Sequence, residues 1–267
     1  MVTALLEATS ASLPVIALTN GVPMNADGKG AFQELDAVSL MRPGTKWATR
    51  IVSAESTPWV MQRAYSIAKN GRPGAVFIDL PSDNALQPST MPTYKRSLER
   101  HLSRPHSKAV AEAAGRIRKA KHPIIICGSG AVSSGAGESL ATLARHIGAA
   151  LYTTPGGRGT YPEDHSLCLG QIGLYFTDAG KKYFDQSDLV ISVGSRLEDF
   201  STGGWSLWPP KAKFVQIDID PQAIGLNLRP DTALVGDAAL APADLLDALD
   251  DKTSASVVRR CIALEKH

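Results

Sequence analysis

Short apolar segments in the second half of the chain are followed by residues whose chemistry suits a nucleotide. Gly128 and Gly130 follow one such segment, Gly194-Ser195-Arg196 follow another, and Asp218-Ile219-Asp220 follow a third. Glycine lets backbone N–H groups approach a pyrophosphate, arginine pairs with its charge, and a carboxylate at a strand end accepts ribose hydroxyls. The pattern therefore indicates a nucleotide-sized site.

A purely structural role for these glycines is also open. Glycine commonly follows a strand wherever the chain turns tightly into a helix, and Gly128-x-Gly130 is shorter than the full G-x-G-x-x-G pattern. Under this interpretation the glycines shape turns and contact no ligand.

Polar residues in the first third of the chain form a second candidate set. Gln33 and Lys46 carry polar tips on segments that are otherwise apolar at regular spacing, and Phe32 precedes Gln33. They could line a pocket, or Phe32 could anchor a loop while Lys46 is solvated, as most lysines are. Glu34 and Asp36 are expected in the first turn of a helix, where negative charge is favoured.

Composition and spacing exclude several classes of function. The net charge is +2 and both signs are spread over 267 residues, so no nucleic-acid-binding face is expected, and no apolar run is long enough to span a membrane. The six histidines and the serines match no hydrolase or metal motif, so no metal site is predicted. Three widely spaced cysteines fit a reducing cytoplasm, where we expect the protein.

Helices and strands alternate in the first part of the chain. Helices are predicted over residues 4–10, 34–41 and 57–69, and strands over 14–19 and 75–80. Thr57 is expected to cap the third helix, with Pro58 in its first turn. The alternation starts without an opening β-α-β unit, which indicates an incomplete sheet.

The second part of the chain has a longer alternation. Helices are predicted over 107–120, 138–147 and 242–249, and strands over 123–127, 150–153, 189–193, 214–219 and 234–235. Short apolar strands separated by helices predict a parallel doubly wound sheet, in which ligands gather at the carboxyl ends of the strands. Trp205 and Trp208 are expected to cover that groove or, preferably, to pack against the neighbouring domain.

These elements predict an α/β protein of two doubly wound parallel-sheet units, the first incomplete and the second complete and Rossmann-like. A stretch rich in proline, serine and arginine separates them. The expected organisation is a first domain over 1–88, a linker over 89–106, a second domain over 107–252 and a tail over 253–267.

Several segments together resemble thiamine diphosphate-dependent enzymes of the acetolactate synthase type. The segments that carry the likeness are Gly71 to Asp83, Ala31-Phe32-Gln33-Glu34, Thr45-Lys46-Trp47, Gly194-Ser195-Arg196 and Asp218-Ile219-Asp220. The likeness covers nearly the whole chain but only the middle of such an enzyme. It implies the end of a pyrimidine-binding domain followed by a whole central domain.

The resemblance also implies site residues. Ala31, Phe32, Gln33 and Lys46 would line the pocket for substrate and thiamine diphosphate, and Arg72 would reach toward a flavin. The cofactor groove of the central domain would be formed by Gly128, Gly130, Thr153, Thr154, Gly170, Gly194, Ser195, Arg196, Asp218, Ile219, Asp220, Gly236 and Asp237.

Thiamine diphosphate and Mg²⁺ would act in the complete enzyme. In family members a glutamate activates the coenzyme and a Gly-Asp-Gly segment holds the metal, and the resemblance places both outside these residues. The chain contains Gly236-Asp237-Ala238 and no Gly-Asp-Gly. We therefore expect no catalytic residue and no metal ligand here, and a chain that is inactive by itself. The central groove holds FAD in acetolactate synthase and an adenine nucleotide such as ADP, or nothing, in relatives.

The implied function is that of a carboligase or decarboxylase for 2-oxo acids, working as a homo-oligomer or assembled with the missing domains. Residues 24–30 and 196–200 match acetolactate synthase less closely. This keeps open relatives of oxalyl-CoA decarboxylase, sulfoacetaldehyde acetyltransferase or trihydroxycyclohexanedione hydrolase, one of which would use an acyl-CoA. Two further alternatives are a noncatalytic FAD- or ADP-binding module, and an inert remnant whose uncovered apolar edge favours association.

Overall fold

The computed structural model describes residues 1–88 and 100–249, and the chain divides into two compact units, Met1–His101 and Leu102–His267. Each described unit is a parallel sheet with helices, which confirms the predicted α/β fold class. Residues 89–99 of the predicted linker and the whole predicted tail lie outside the described residues.

The first unit contains a three-stranded parallel sheet in the order β1-β3-β2. Its strands are β1 (Ile16–Gly21), β2 (Trp47–Arg50) and β3 (Val76–Pro81), and its helices are α1 (Val2–Ser10), α2 (Ala37–Met41), α3 (Thr57–Lys69) and α4 (Ser82–Leu86). The central strand β3 is buried on both faces: Phe77 packs with residues of α1 and α2, and Ile78 packs with residues of α3. Burial on both faces explains why residues 75–78 are apolar without a break, before the buried Asp79 interrupts the run.

Three sequence predictions need correction in this unit. Strand β2 is absent from the sequence prediction, because only one of its four residues is buried and it forms no apolar run. Glu34 lies before α2 and not in its first turn, while Asp36 is the N-cap and accepts a 3.0 Å hydrogen bond from the amide of Ser39. Thr57 is the first residue of α3, and Ser56 occupies the cap position.

The second unit contains a six-stranded parallel sheet in the order β6-β5-β4-β7-β8-β9. The strands are β4 (Pro123–Cys127), β5 (Ala150–Thr153), β6 (Cys168–Gln171), β7 (Leu189–Val193), β8 (Lys213–Asp218) and β9 (Thr232–Val235). The helices are α5 (Ser107–Lys119), α6 (Ser129–Ser134), α7 (Gly137–Ile147), α8 (Asp178–Asp185), α9 (Asp199–Thr202) and α10 (Leu240–Ala248). The sheet grows outward from β4 in one direction and from β7 in the other, which is the strand order of dinucleotide-binding folds.

Aromatic rings fill part of the core of the second unit. Trp208 lies 6.3 Å from Phe184 and 5.1 Å from Phe214 between ring centroids, and Phe184 also contacts Tyr152. Trp208 therefore packs against the core of the second unit, while the expectation that Trp205 and Trp208 cover the groove or pack against the neighbouring domain stays a prediction. Among the described residues, no helix combines the length and the apolar character needed to cross a membrane.

Candidate functional site

The carboxyl ends of β4 and β7 meet at the point where the strand order of the second sheet reverses. The two strands pair directly, with Cys127 opposite Val193. In open parallel sheets this reversal leaves a crevice between the two connecting loops, and ligands bind there. The predicted groove residues Gly128 and Gly194 begin these two loops.

The glycines at this crevice allow two backbones to touch. The amide of Gly128 donates to the carbonyl of Val193 at 2.9 Å, and the amide of Gly130 donates to the carbonyl of Gly194 at 3.0 Å. A Cβ atom on Gly130 would lie 2.7 Å from the Cα of Gly194, and one on Gly194 would lie 2.6 Å from the Cα of Gly130. These two amides are therefore engaged by protein carbonyls, and the glycines form the floor of the crevice.

The loop after β5 is bound to the end of β4. The amide of Thr154 donates to the carbonyl of Cys127 at 3.0 Å, and both Thr153 and Thr154 are buried. A Cβ atom on Gly156 would lie 3.3 Å from the Cβ of Ser129, so this loop passes over the start of α6. Gly170 lies apart, because it is inside the edge strand β6.

The loop after β7 carries the predicted groove residues Ser195 and Arg196. Arg196 forms an ion pair with Glu198, and its side chain is mostly buried. Its carbonyl accepts a 2.9 Å hydrogen bond from Asn227, and the hydroxyl of Ser195 accepts a 3.1 Å hydrogen bond from the amide of Leu197. Leu197 is buried in a left-handed backbone conformation. These contacts hold the loop after β7 in place, and the positive charge of Arg196 is paired with Glu198.

Carboxylates follow β8 and β9 on the far side of β7. Asp218 ends β8 and accepts a 2.9 Å hydrogen bond from the amide of Asp220, with Ile219 half-buried between them. Gly236 donates to the carbonyl of Asp218 at 2.9 Å. Asp237 is fully buried and accepts a 2.8 Å hydrogen bond from Ala239 at the start of α10. Asp237 therefore has a structural role at the start of a helix, while Asp218 and Asp220 lie at the carboxyl end of β8.

Cys127, the last residue of β4, is an unsuitable nucleophile. Its side chain is completely buried, and this burial raises the pKa of the thiol well above its usual range. A thiol is nucleophilic only when ionised, so Cys127 stays neutral and unreactive at physiological pH.

In the first unit, a cleft of about 570 Å³ lies at the carboxyl ends of β1 and β3. The predicted pocket residues Ala31, Phe32 and Gln33 line it, together with Gly21 and Asp79. Phe32 is 89% exposed, and Gln33 has a positive φ of 59°. The structure thus brings three of the four predicted pocket residues together at one cleft.

The structure places Lys46 and Arg72 at the amino ends of the strands, opposite the end where the cleft lies. Lys46 precedes β2, and its ammonium group donates to the carbonyls of Ile67 and Asn70, the latter at 2.8 Å. Arg72 precedes β3 and donates to the carbonyl of Thr9 at 3.0 Å. Both cations therefore satisfy carbonyl groups at helix carboxyl ends, where positive charge is favoured.

Comparison with known proteins decides the family of the chain. Residues 110–249 match the family described as thiamine pyrophosphate enzyme, central domain. The chain belongs to this family. The resemblance stated from the sequence is thereby confirmed, and the second unit contains the central domain.

Curated relatives extend the likeness over both units. The chain is 39% identical over 257 residues to the probable acetolactate synthase large subunit of Methanocaldococcus jannaschii, covering 93% of this chain and 43% of that protein. It is 36% identical over 254 residues to the acetolactate synthase of Mycobacterium bovis, covering 92% and 40%, and 31% identical over 260 residues to the chloroplastic acetolactate synthase 1 of Zea mays, covering 95% and 40%. The chain spans less than half the length of these relatives.

The sequence did not predict one cluster of ion pairs near the cleft of the first unit. Arg50, at the end of β2, donates to the carboxylate of Asp79 at 2.6 Å and to that of Asp27 at 2.8 Å. These residues are far apart in sequence, and their meeting depends on the pairing of β2 with β3. Without a predicted β2, the sequence offers no signal for this contact.

Proposed function

We propose that this chain is the segment of a thiamine diphosphate-dependent enzyme that acts on 2-oxo acids, as an acetolactate synthase does. The observation that carries the proposal is the identity of 39% across 93% of the chain with an acetolactate synthase large subunit. That similarity extends beyond the central domain into the unit that contains the cleft. A related lyase or transferase that uses an acyl-CoA remains the alternative assignment.

In this proposal the two units have separate roles. Residues 1–88 are the end of a pyrimidine-binding domain, and their cleft at Ala31, Phe32 and Gln33 receives the substrate beside the coenzyme. Residues 107–252 are the central domain. Thiamine diphosphate and Mg²⁺ are held by residues of the complete enzyme, working as an oligomer, and the 267 residues alone do not turn over a 2-oxo acid.

FAD or ADP is the ligand that we propose for the crevice of the central domain. The strand order places a crevice between β4 and β7, and Gly130 and Gly194 bring two backbones into contact there. Arg196 would pair with a pyrophosphate, and Asp218 and Asp220 would accept ribose hydroxyls. When bound, the nucleotide would stabilise the folded domain.

The two cysteines that the structure describes support a reducing compartment. Cys127 and Cys168 are both free thiols. We propose a cytoplasmic location on this basis.

The test is a titration of the purified chain with FAD and with ADP, followed by tryptophan fluorescence. Arg196→Gln should weaken nucleotide binding about tenfold, because it removes one charge-assisted contact. Arg145→Gln is the matched control. Arg145 is an exposed residue in the last turn of α7, which leads to the amino end of β5, whereas the crevice lies at the carboxyl ends of the strands.

Two outcomes contradict the proposal. If neither nucleotide binds, or if Arg196→Gln binds as tightly as the wild type, the crevice is not a nucleotide site. If the chain alone consumes pyruvate in the presence of thiamine diphosphate and Mg²⁺, it contains its own catalytic groups and is not an inactive segment.

A further inference from the structure

We propose that Arg50 is a positioning residue that fastens the loop of residues 24–36 over the cleft of the first unit. This loop, called the cleft loop below, carries Ala31, Phe32 and Gln33. The inference rests on the proposed role of the cleft as a substrate pocket, and it assigns a task to Asp27, which lies in the stretch that matches acetolactate synthase less closely.

Apolar packing does not hold the cleft loop in place. None of residues 24–36, all of which the structure describes, has a buried side chain. Phe32 is almost fully exposed, and Leu35 is more than half exposed. A loop with so little buried apolar area gains almost nothing from the hydrophobic effect, so polar contacts must determine its position.

Most polar contacts of the cleft loop lie within the loop. The carboxylate of Glu34 accepts hydrogen bonds from the amides of Gly28 at 2.5 Å and Ala31 at 2.9 Å. These bonds lower the pKa of Glu34, the bond from Gly28 contributing most. They give the loop a compact shape but do not tie that shape to the sheet.

Backbone hydrogen bonds to the adjoining residues and the cap at Asp36 hold the two ends of the cleft loop, and two side-chain links join it to more distant residues of the described first unit. At its start, the amide of Met24 donates to both carboxylate oxygens of Asp83 at 3.1 Å. In its middle, the carboxylate of Asp27 accepts from Arg50 at 2.8 Å. The second link joins the middle of the loop to strand β2, and we assign to it the task of keeping the pocket residues over the cleft.

Asp79 orients Arg50 for this contact. Asp79 lies opposite Arg50 in the paired strands, and its side chain is 3% exposed. A Cβ atom on Gly21 would lie 2.5 Å from its carboxylate, so the backbone of β1 leaves that carboxylate little freedom. The planar guanidinium of Arg50 uses Nε for Asp79 and Nη1 for Asp27, which fixes the direction of the second bond.

The cleft loop lines two cavities. Phe32 and Gln33 line the cleft of about 570 Å³, whereas Asp27 and Glu34 line a second cavity of about 620 Å³. Leu35 lines both. Release of Asp27 would therefore loosen residues that line both cavities, among them Leu35.

The test is the rate of trypsin cleavage after Lys29, an exposed residue of the cleft loop, in the folded 267-residue chain. Cleavage is followed by mass spectrometry without any ligand, so the result is independent of the nucleotide and turnover assays. Asp27→Asn should increase the rate about fivefold, because a single exposed ionic link is lost and the loop opens more often. Arg50→Gln should increase it at least as much.

Two variants serve as controls. Asp27→Glu keeps the carboxylate and should restore slow cleavage, a rescue that a simple loss of folding stability would not show. Arg42→Gln removes an exposed arginine that lines the same second cavity, and it should leave the rate unchanged. If Arg50→Gln fails to fold, the partly exposed Asp27 still provides the test. Wild-type cleavage of Asp27→Asn, or equal acceleration by Arg42→Gln, overturns the proposal.

Discussion

The glycine contact between the loops after β4 and β7 predicts a large destabilisation when Gly194 becomes alanine. Gly194 has a φ of +61°, a conformation that L-residues adopt only with strain. Its added Cβ would also lie 2.6 Å from the Cα of Gly130 and 2.7 Å from the amide nitrogen of Ala131. Because both neighbours are backbone atoms, the loops themselves must move apart.

Two separable costs make up the expected effect. The left-handed conformation costs an alanine about 1 to 2 kcal/mol. Forcing apart closely packed backbone costs about 1 to 3 kcal/mol more. The free energy of unfolding of Gly194→Ala should therefore fall by about 2 to 5 kcal/mol, which is a large part of the stability of a domain.

Three other glycines separate these costs. Gly135 has a φ of +69° and open space where the methyl group of an alanine would lie, so Gly135→Ala reports the strain alone. Gly128 has an extended backbone but an added Cβ would overlap the carbonyl oxygen of Gly194, so Gly128→Ala reports the clash alone. Gly115 lies in α5 and has open space around it, so Gly115→Ala is a control without strain or clash. Its free energy of unfolding should rise by about 0.5 to 1 kcal/mol, because alanine favours a helix more than glycine does.

Urea unfolding followed by tryptophan emission is the assay. The chain has four tryptophans, and replacing Trp47 and Trp59 by phenylalanine leaves Trp205 and Trp208 as reporters of the second unit. With a slope of about 2 to 3 kcal/mol per M, a loss of about 3 kcal/mol lowers the midpoint by about 1 M or slightly more.

The pattern of the four variants decides the argument. Two results would refute this explanation. One is that Gly128→Ala unfolds at the same urea concentration as the wild type, and the other is that Gly194→Ala loses no more free energy of unfolding than Gly135→Ala. Either result would mean that the two loops do not touch as the structure shows, and that the crevice lacks the floor described above.

Two further predictions concern polar contacts. The pKa of Glu34 is lowered by amide bonds in the folded loop, so the stabilisation from these bonds is fully present above the ordinary glutamate pKa of 4.5 and is lost as the pH falls through the lower folded pKa. Over this pH range, hydrogen exchange of the loop amides, corrected for intrinsic rates, should become faster in the wild type. Glu34→Gln should show no increase in exchange over the same range. Tyr152→Phe removes a buried 2.8 Å bond to the carbonyl of Gly180 and should cost about 1 to 3 kcal/mol in urea unfolding, whereas exposed Tyr175→Phe should cost nothing measurable.

Strands that are buried on both faces are predictable from the chain. The expected strands at 123–127 and 189–193 coincide with β4 and β7, whose residues are all buried. Such strands are mostly apolar, although β7 includes the buried Ser192, and glycine follows both strands, so composition marks their limits. The sequence does not predict strands β2 and β6 or helix α8. These elements are short and half exposed, and their composition resembles that of loops.

The family and the α/β class follow from amino-acid order alone, because motifs and apolar runs are local features that survive without knowledge of strand pairing. The tasks of single side chains do not. Lys46 is expected at a pocket but caps a helix, and Arg50 belongs to no sequence motif yet links a buried carboxylate to the cleft loop. Which residues meet depends on the register of neighbouring strands, and Arg50 and Asp79, 29 positions apart, meet because β2 pairs with β3.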